Sequence, residues 1–323
     1  MATASNTSYT LPGMREDLED TIWDLFPMDT WCLSNLDKVD AENTYHQWQK
    51  DSLAATGANR ALEGDDATFS TAAGTTLLGN YQQISTKSFF ISRTADKVRK
   101  AGRGTETARQ AMKKMRELKR DMEVALITNQ SSSAGGAATA RSTGSMESWI
   151  ASTDNGGNAI RATTTASAST AAFAANAVTT PTDGTTTGAL TEALLKEALR
   201  LAWADGGDPR VILCNSTQKT AIDAITGVAT RFVDVDRSAE ASIIGSVSLY
   251  VSDFGRHQVV LNRHVRQSVI LCIDPDFWAV SFVDRPFMKT LAATGDADKR
   301  MIISEFGLVA RNSDSSGKVA ALT

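Results

Sequence analysis

From Thr105 to Asn129 apolar residues recur at three- and four-residue steps, with Ala108, Ala111, Met112, Met115, Leu118, Met122, Ala125 and Leu126 falling into register. That spacing predicts a long helix with one buried side. Gly104 and Thr105 supply its start signal, and Asn129 leads into a Ser/Gly run that stops it. At 1.5 Å per residue such a helix is roughly 37 Å long, enough to cross a domain. Arg109, Lys113, Arg116 and Arg120 follow at steps of four, three and four. They form one basic stripe roughly opposite the apolar side.

The flanking patterns are shorter. Leu18, Ile22, Leu25 and Phe26 share a side of a predicted helix, Arg15 to Phe26, that Pro27 ends. Two strands are predicted at Thr44 to Leu53 and Tyr81 to Ser92, joined as a hairpin by a loop through Leu62, Glu63, Gly64 and Asp65. Gln82, Ile84, Thr86, Ser88 and Phe90 fall on one side of the second strand and Tyr81, Gln83, Ser85, Lys87 and Phe89 on the other, so neither side is apolar enough to cover a core. A lone hairpin is marginal in water, which points to support from another copy of the chain.

Between Ser131 and Leu190, 44 of 60 residues are Ala, Ser, Thr or Gly, too few apolar groups for a core of its own. This stretch reads as loop or weakly ordered decoration, anchored at Met146 to Ile150 through Trp149. Leu194, Leu195, Ala198, Leu199 and Ala202 then mark an amphipathic helix that Gly206 and Gly207 terminate. A strand at Val211 to Cys214 follows, and Asn215 with Gln218 resembles a capping box opening a helix through Ala221, Ile222 and Ile225. Further strands at Val247 to Val251, Val259 to Leu261, Val269 to Ile273 and Phe277 to Val283 make this half mixed α/β with a mostly non-parallel sheet. Phe287 to Ala292 and Arg300 to Arg311 read as two strands around Thr294, Gly295 and Asp296. Beyond Asn312 the polar chain is expected to fray.

Length and charge narrow the possibilities. The 323 residues are enough for two domains, and a net charge of −4 excludes the strongly basic class of nucleic-acid binders. Charge is uneven, because Arg93 to Arg120 holds eleven Lys and Arg against Asp96, Glu106 and Glu117. No apolar run approaches the roughly 18 residues needed to span a bilayer, and MATASNTSYT lacks a secretory pattern, so assembly in a cytoplasm is expected. Cys32, Cys214 and Cys272 are odd in number and far apart, and read as reduced thiols.

Chemistry is sparse. His257 and His264 lack zinc-site spacing and read as surface or hairpin residues. Gly102, Arg103 and Gly104 before a basic helix suggest a phosphate loop, but the Walker spacing is absent. Asp234 with Asp236, and Asp274 with Asp276, lack the remaining ligands of a calcium loop and read as turn residues. No catalytic, cofactor-binding or metal-binding residue is assigned, and no enzyme activity is expected. A basic helical stripe with few interleaved aromatics is a solvated face or a sequence-blind polyanion surface.

DLEDTIWDLFPMDTW, TYHQWQKDSLA, ALEGDDA, GNYQQISTKSFFIS, KAG, MRELKRDMEVALITN, MESWI, TEALLKEALRLAWADGGDP and TGDADKRMIISEFGLVARN cover most of the chain. In this order and spacing the sequence resembles the major capsid proteins of tailed bacteriophages with the Hong Kong 97-type fold, an α+β architecture. The resemblance implies an N-terminal arm (1–42), an extended hairpin loop (43–92), the spine helix of a peripheral domain (93–130), the Ala/Ser/Thr/Gly-rich segment (131–190), an axial domain (191–284), and closing strands with a tail (285–323). It implies self-assembly through hexamers and pentamers into an icosahedral shell in the virion, with separate scaffolding, portal and decoration proteins as candidate partners and no membrane. Tyr45, Trp48, Lys50, Asp51, Glu63, Tyr81, Lys87 and Phe89 become subunit-contact candidates, and Lys50 and Lys87 the two lysines placed for a cross-link. Arg109, Lys113, Arg116 and Arg120 become lumen-facing candidates, touching packaged DNA weakly. The alternatives are an encapsulin-like nanocompartment shell and a cytosolic nucleotide-binding α/β protein using Gly102 to Thr105.

Overall fold

A computed structural model describes residues 30–323 apart from 55, 61, 62, 65, 67, 68, 70, 73, 103, 153–156, 163, 226–248 and 294. The helix read at Arg15 to Phe26, the pair Asp234 and Asp236, and the start of the strand at Val247 lie outside the described residues. In chain order, α1 (Trp31–Asn35) leads to β1 (Asp37–Asp40), β2 (Tyr45–Lys50), β3 (Thr76–Tyr81), β4 (Gln83–Ser92), α2 (Arg93–Lys97) and the long α3 (Glu106–Ile127). Next come α4 (Met146–Ile150), β5 (Ala159–Arg161), β6 (Thr164–Ala168), β7 (Phe173–Ala174) and β8 (Ala177–Val178). The chain then forms α5 (Glu192–Ala204), β9 (Val211–Cys214), α6 (Ser216–Asp223), β10 (Leu249–Ser252), β11 (Gly255–Leu261), β12 (Ile270–Ile273), β13 (Trp278–Thr290), β14 (Ala297–Ala310) and β15 (Gly317–Ala320).

Two larger sheets carry most of the strands, while β2/β3 and β7/β8 form separate two-stranded pairs. The four-stranded sheet has the order β1-β13-β14-β4 and the seven-stranded sheet the order β10-β11-β9-β12-β15-β5-β6. The second is mixed, with parallel pairing at β11/β9 and β15/β5 and antiparallel pairing elsewhere. Strands β9 (VILC) and β12 (ILCI) are buried at every position. Alternate side chains explain it, because they point to opposite sides of a sheet that is covered on both. Ile212, Cys214, Ile270 and Cys272 join Leu195, Ala198 and Leu199 of α5 in one core. Leu213, Leu271 and Ile273 enter the other, with Leu118, Met122 and Leu126 of α3 and Trp278, Val280, Phe306 and Leu308 of the four-stranded sheet. A Cβ on Gly317 would come within 2.6 Å of the Ala198 carbonyl oxygen, so α5 lies directly on β15.

Helix α3 matches its expected span to within two residues at the C-terminal end, but its apolar side is buried only from Leu118 onward, and Met112 is exposed. Thr105 is the N-cap residue but makes no side-chain cap; the Asp96 carboxylate, presented from the first turn of α2, accepts from the amides of Glu106 and Thr107 at 2.8 and 3.2 Å. Near the other end the buried Glu123 accepts from the amides of Cys32 and Leu33 at 2.8 and 3.1 Å, tying α1 to α3. Burial pushes the Glu123 carboxyl above its usual range, against the pull of those amides.

Four expectations are corrected. The hairpin partner of β2 is Thr76–Tyr81, whereas Gln83–Ser92 pairs over ten residues with β14. Its side carrying Lys87 packs towards α3, where Lys87 meets Asp121 at 2.5 Å. The chain beyond Asn312 does not fray, because β15 is an interior strand of the seven-stranded sheet. Nor is 131–190 only decoration: every residue of α4 is buried, and β5 and β6 extend that same sheet. At Asn215 the cap forms through the Ser216 amide, but Gln218 donates to the Gln267 and Thr323 carbonyls, so no reciprocal box closes.

Candidate assembly surfaces

The chain between β2 and β3, residues 51–75, forms an arm whose described side chains are all exposed, including Asp51 and Glu63. Two of them are large and apolar: Leu53 is 99% and Phe69 96% exposed. The root of the arm, by contrast, is fixed. Tyr45 and Tyr81 face each other across the strands with ring centroids 4.6 Å apart. A Cβ on Gly79 would stand 2.6 Å from the Tyr45 ring, so only glycine lets that ring close over β3. Trp48 turns inward against Trp149, centroids 5.4 Å apart, and Lys50 pairs with Asp314 at 2.7 Å.

Asn80 is the clamp. Fully buried, it donates to Thr143 Oγ1, the Gly144 carbonyl and the Leu308 carbonyl at 3.0, 3.1 and 2.8 Å. Its Oδ1 accepts from the Gly144 amide at 2.8 Å. One amide therefore joins the arm, the 143–144 turn and β14. Of the eight contact candidates, Asp51 and Glu63 stand clear on the arm, while Tyr45, Trp48, Lys50, Tyr81, Lys87 and Phe89 are partly buried in their own subunit. Both lysines placed for a cross-link already hold carboxylates of their own chain, Asp314 and Asp121. The opposite side of β4 bears Ile84 and Phe90, both exposed, and on that side Thr86 and Phe287 both pair with Ile303.

On α3, Lys113 and Arg116 are exposed, Arg120 is half-buried, and Arg109 is half-buried with Glu106 at 3.9 Å. The stripe therefore faces outward along the middle of the helix. Its N-terminal amides are not open to a phosphate, because Asp96 occupies them; hydrogen bonds from Thr107 and Glu106 hold that carboxyl below its usual range despite partial desolvation. The nucleotide-loop alternative loses its anion site. His257, expected at the surface, is buried with Nε2 2.6 Å from Ser252 Oγ and Nδ1 2.5 Å from the Pro209 carbonyl, and burial lowers its pKa. Asp274 accepts from the Asp276 amide in a short turn, as expected of a turn residue. Among the described residues no group of three or more His, Cys, Asp or Glu could hold a metal ion. The three cysteines are free and buried, and burial pushes Cys214 to about 11 and Cys272 to about 12, so neither is a thiolate at neutral pH.

A buried charge cluster escaped the sequence reading altogether. Lys318 on β15 is fully buried, with Nζ 3.0 Å from Asp183 Oδ1 and 3.7 Å from Glu147 Oε2. Arg266 grips Glu147 through two nitrogens at 2.9 and 2.5 Å and also contacts Asp183. Burial alone would raise the Asp183 carboxyl, but Lys318, Ser169 and Arg266 more than offset it and hold the carboxyl below its usual range. Four segments far apart in sequence meet there with two charges of each sign. Their only sequence signal is a set of isolated charges in polar surroundings, which periodicity cannot rank.

Comparison with known proteins agrees with this architecture. The family model for the SU10 major capsid protein matches residues 2–323. The chain is 25% identical over 337 aligned residues to a major capsid protein of Escherichia phage Phieco32, covering 96% of this chain and 95% of that protein. Among solved structures it superposes on a capsid chain of cyanophage A-1(L) with TM-score 0.68 at 15% identity, covering 96% and 97% of the two chains. It also superposes on the capsid of a native GTA particle with TM-score 0.62 at 12% identity, covering 99% and 100%. At such identity the superpositions speak for the fold, an α+β fold of the Hong Kong 97 type, and the family match speaks for kinship. The chain belongs to the SU10 major capsid protein family.

Proposed function

We propose that this subunit closes its shell by laying the 51–75 arm over a neighbouring copy. As a member of its family the chain is a major capsid protein of a tailed phage, part of the virion, forming the icosahedral shell. The observation that carries the arm's role is its contrast with its own root: Leu53 and Phe69 are almost wholly exposed between two strands that Asn80, Trp48 and Lys50 clamp to the subunit. Large apolar groups exposed to water favour burial against a partner. The exposed side of β4 with Ile84 and Phe90 offers a second apolar contact.

In this reading the four-stranded sheet and α3 form the peripheral domain, and the seven-stranded sheet with α5 forms the axial domain that meets its copies around five- and six-fold axes. The stripe Arg109, Lys113, Arg116 and Arg120 turns to the lumen, where weak phosphate contacts, screened over roughly 8 Å at physiological salt, suit a genome that must also leave. Scaffolding, portal and decoration proteins act as separate partners. The test is a deletion of residues 52–75 bridged by a short Gly/Ser turn. The expected product keeps the circular dichroism and thermal transition of the full chain but sediments as free subunits. Normal shells from the deleted chain would sink the arm's role.

A further inference from the structure

The side of the four-stranded sheet turned away from α3 is open. Ile84 and Phe90 of β4 are 51% and 75% exposed there, and Phe287 of β13 is 42% exposed. Met301 and Ile303 of β14 run between them: Met301 pairs with Ser88, and Ile303 pairs with both Thr86 and Phe287. Single exposed apolar residues are ordinary on a surface, but a run of them across adjacent strands is a patch of the kind that marks a contact. Its charge is polarised. Lys289, opposite Met301, and Lys299, opposite Phe90, lie at one end; Asp284 and Glu305 lie at the other, where Arg141 holds Glu305 at 2.6 Å.

The 51–75 arm matches this patch in both respects. Leu53 and Phe69 are its large exposed apolar groups, and its charges are Asp51, Glu63, Asp65 and Asp66 against Arg60 alone. Apolar groups with an acidic excess suit an apolar floor with lysines at one end. Within one chain neither covers the other, because Ile84, Phe90 and every described side chain of the arm remain exposed. The arm can reach a second copy, since residues 51–75, doubled back, extend up to roughly 40 Å from their root. Two different, complementary surfaces on one chain give a head-to-tail contact of the kind that closes copies into rings.

We propose that the outer side of the four-stranded sheet receives the arm of the neighbouring copy, with Phe69 seated on Phe90 and Phe287 and with Glu63 and Asp66 against Lys289 and Lys299, a placement that rests on the arm's role proposed above. The contact is directional. Each subunit offers its arm to one neighbour and its sheet to another, as a ring of copies requires. Carboxylate-to-lysine contacts at one end of the patch set the register, while the apolar groups supply most of the attachment.

Hydroxyl-radical footprinting of the native full chain, free and assembled, tests it. In particles Phe69, Phe90 and Phe287 are all expected to oxidise at least about fivefold more slowly than in free subunits, as for side chains entering an interface core. Protection of Phe69 with Phe90 and Phe287 unchanged would overturn this receptor and leave the arm's role standing, whereas an unprotected Phe69 would overturn both. A second measurement fixes the partner. Chains carrying T71C are co-assembled with chains carrying S88C, which leaves the apolar groups in place, and treated with a short bis-maleimide; the native Cys32, Cys214 and Cys272 are buried. A cross-link between the two kinds of chain is expected in particles, and its absence from particles that form normally would overturn the placement.

Discussion

Residues 51–75 and residues 131–190 look alike as sequence: both are dominated by small polar residues with scattered large ones. In the folded chain they are opposites. The arm leaves Leu53 and Phe69 in water, while the second segment sends Met146, Trp149, Ile150 and Val178 into the core and contributes Glu147 and Asp183 to a buried charge cluster. The difference lies in what each segment meets. Trp149 finds Trp48 on one side and Phe173 on the other, 5.4 and 5.3 Å away, and Glu147 finds Arg266 and Lys318. The described side chains of the arm are exposed. A small-residue segment is thus packed or exposed according to what it meets, and a segment with large apolar groups left exposed is where a second copy is expected.

The largest expected effect comes from breaking the packed segment. Lys318→Ala removes the cation between Asp183 and Glu147, and losing one partner of a buried ion pair costs about 3–5 kcal/mol. Urea unfolding of the free subunit should show that loss. Phe69→Ser on the arm should change the same measurement by less than about 0.5 kcal/mol, as expected at an exposed site, while impairing assembly. Equal stability losses at the two positions would erase the distinction between the segments.

A smaller effect concerns pH. Because the folded Asp183 carboxyl lies below its ordinary 3.8, the unfolded chain binds its proton first as acid is added. Its stabilisation is complete above that ordinary value and is lost as pH falls through the folded one. Asp183→Asn should therefore flatten the acid limb of a stability profile. An unaltered acid limb in Asp183→Asn would mean that the cluster carries no net stabilisation from this ionisation.

The smallest expected change in the subunit comes from neutralising the stripe. With Arg109, Lys113, Arg116 and Arg120 all changed to Gln, the free subunit should melt within a few degrees of the native one. Particles should retain their genome less well and with a weaker dependence on salt. Full retention with an unchanged salt dependence would leave the stripe as a solvated face.

Much of the framework was legible where one period ruled one element. Helix α3, α5 and the strands β9 and β12 follow directly from their apolar spacing; β14 lies close to its expected place, and β13 joins into one strand the two expected at Phe277 to Val283 and Phe287 to Ala292. The hairpin was mispaired because Gly79 and Asn80 weaken Thr76–Tyr81 as a strand, yet both are there for contacts between distant segments: a ring lying over one and a three-way clamp at the other. The tail was misjudged for a related reason. Gly317 and Lys318 look like solvent-facing residues until α5 closes over the glycine and two carboxylates meet the ammonium. Local patterns cannot carry such information, because each explanation lies in a distant segment, from Tyr45 over Gly79 to Leu308 at Asn80.

Everything proposed for the arm requires that, clamped at Asn80, it finds its partner in another subunit. Cryo-electron microscopy of the purified, assembled chain tests it most directly. Closed icosahedral shells in which residues 51–75 lie across the adjacent subunit, with Leu53 and Phe69 buried there, are the predicted result. Shells in which the arm folds back on its own subunit, or a preparation that yields only monomers under all assembly conditions, would contradict it.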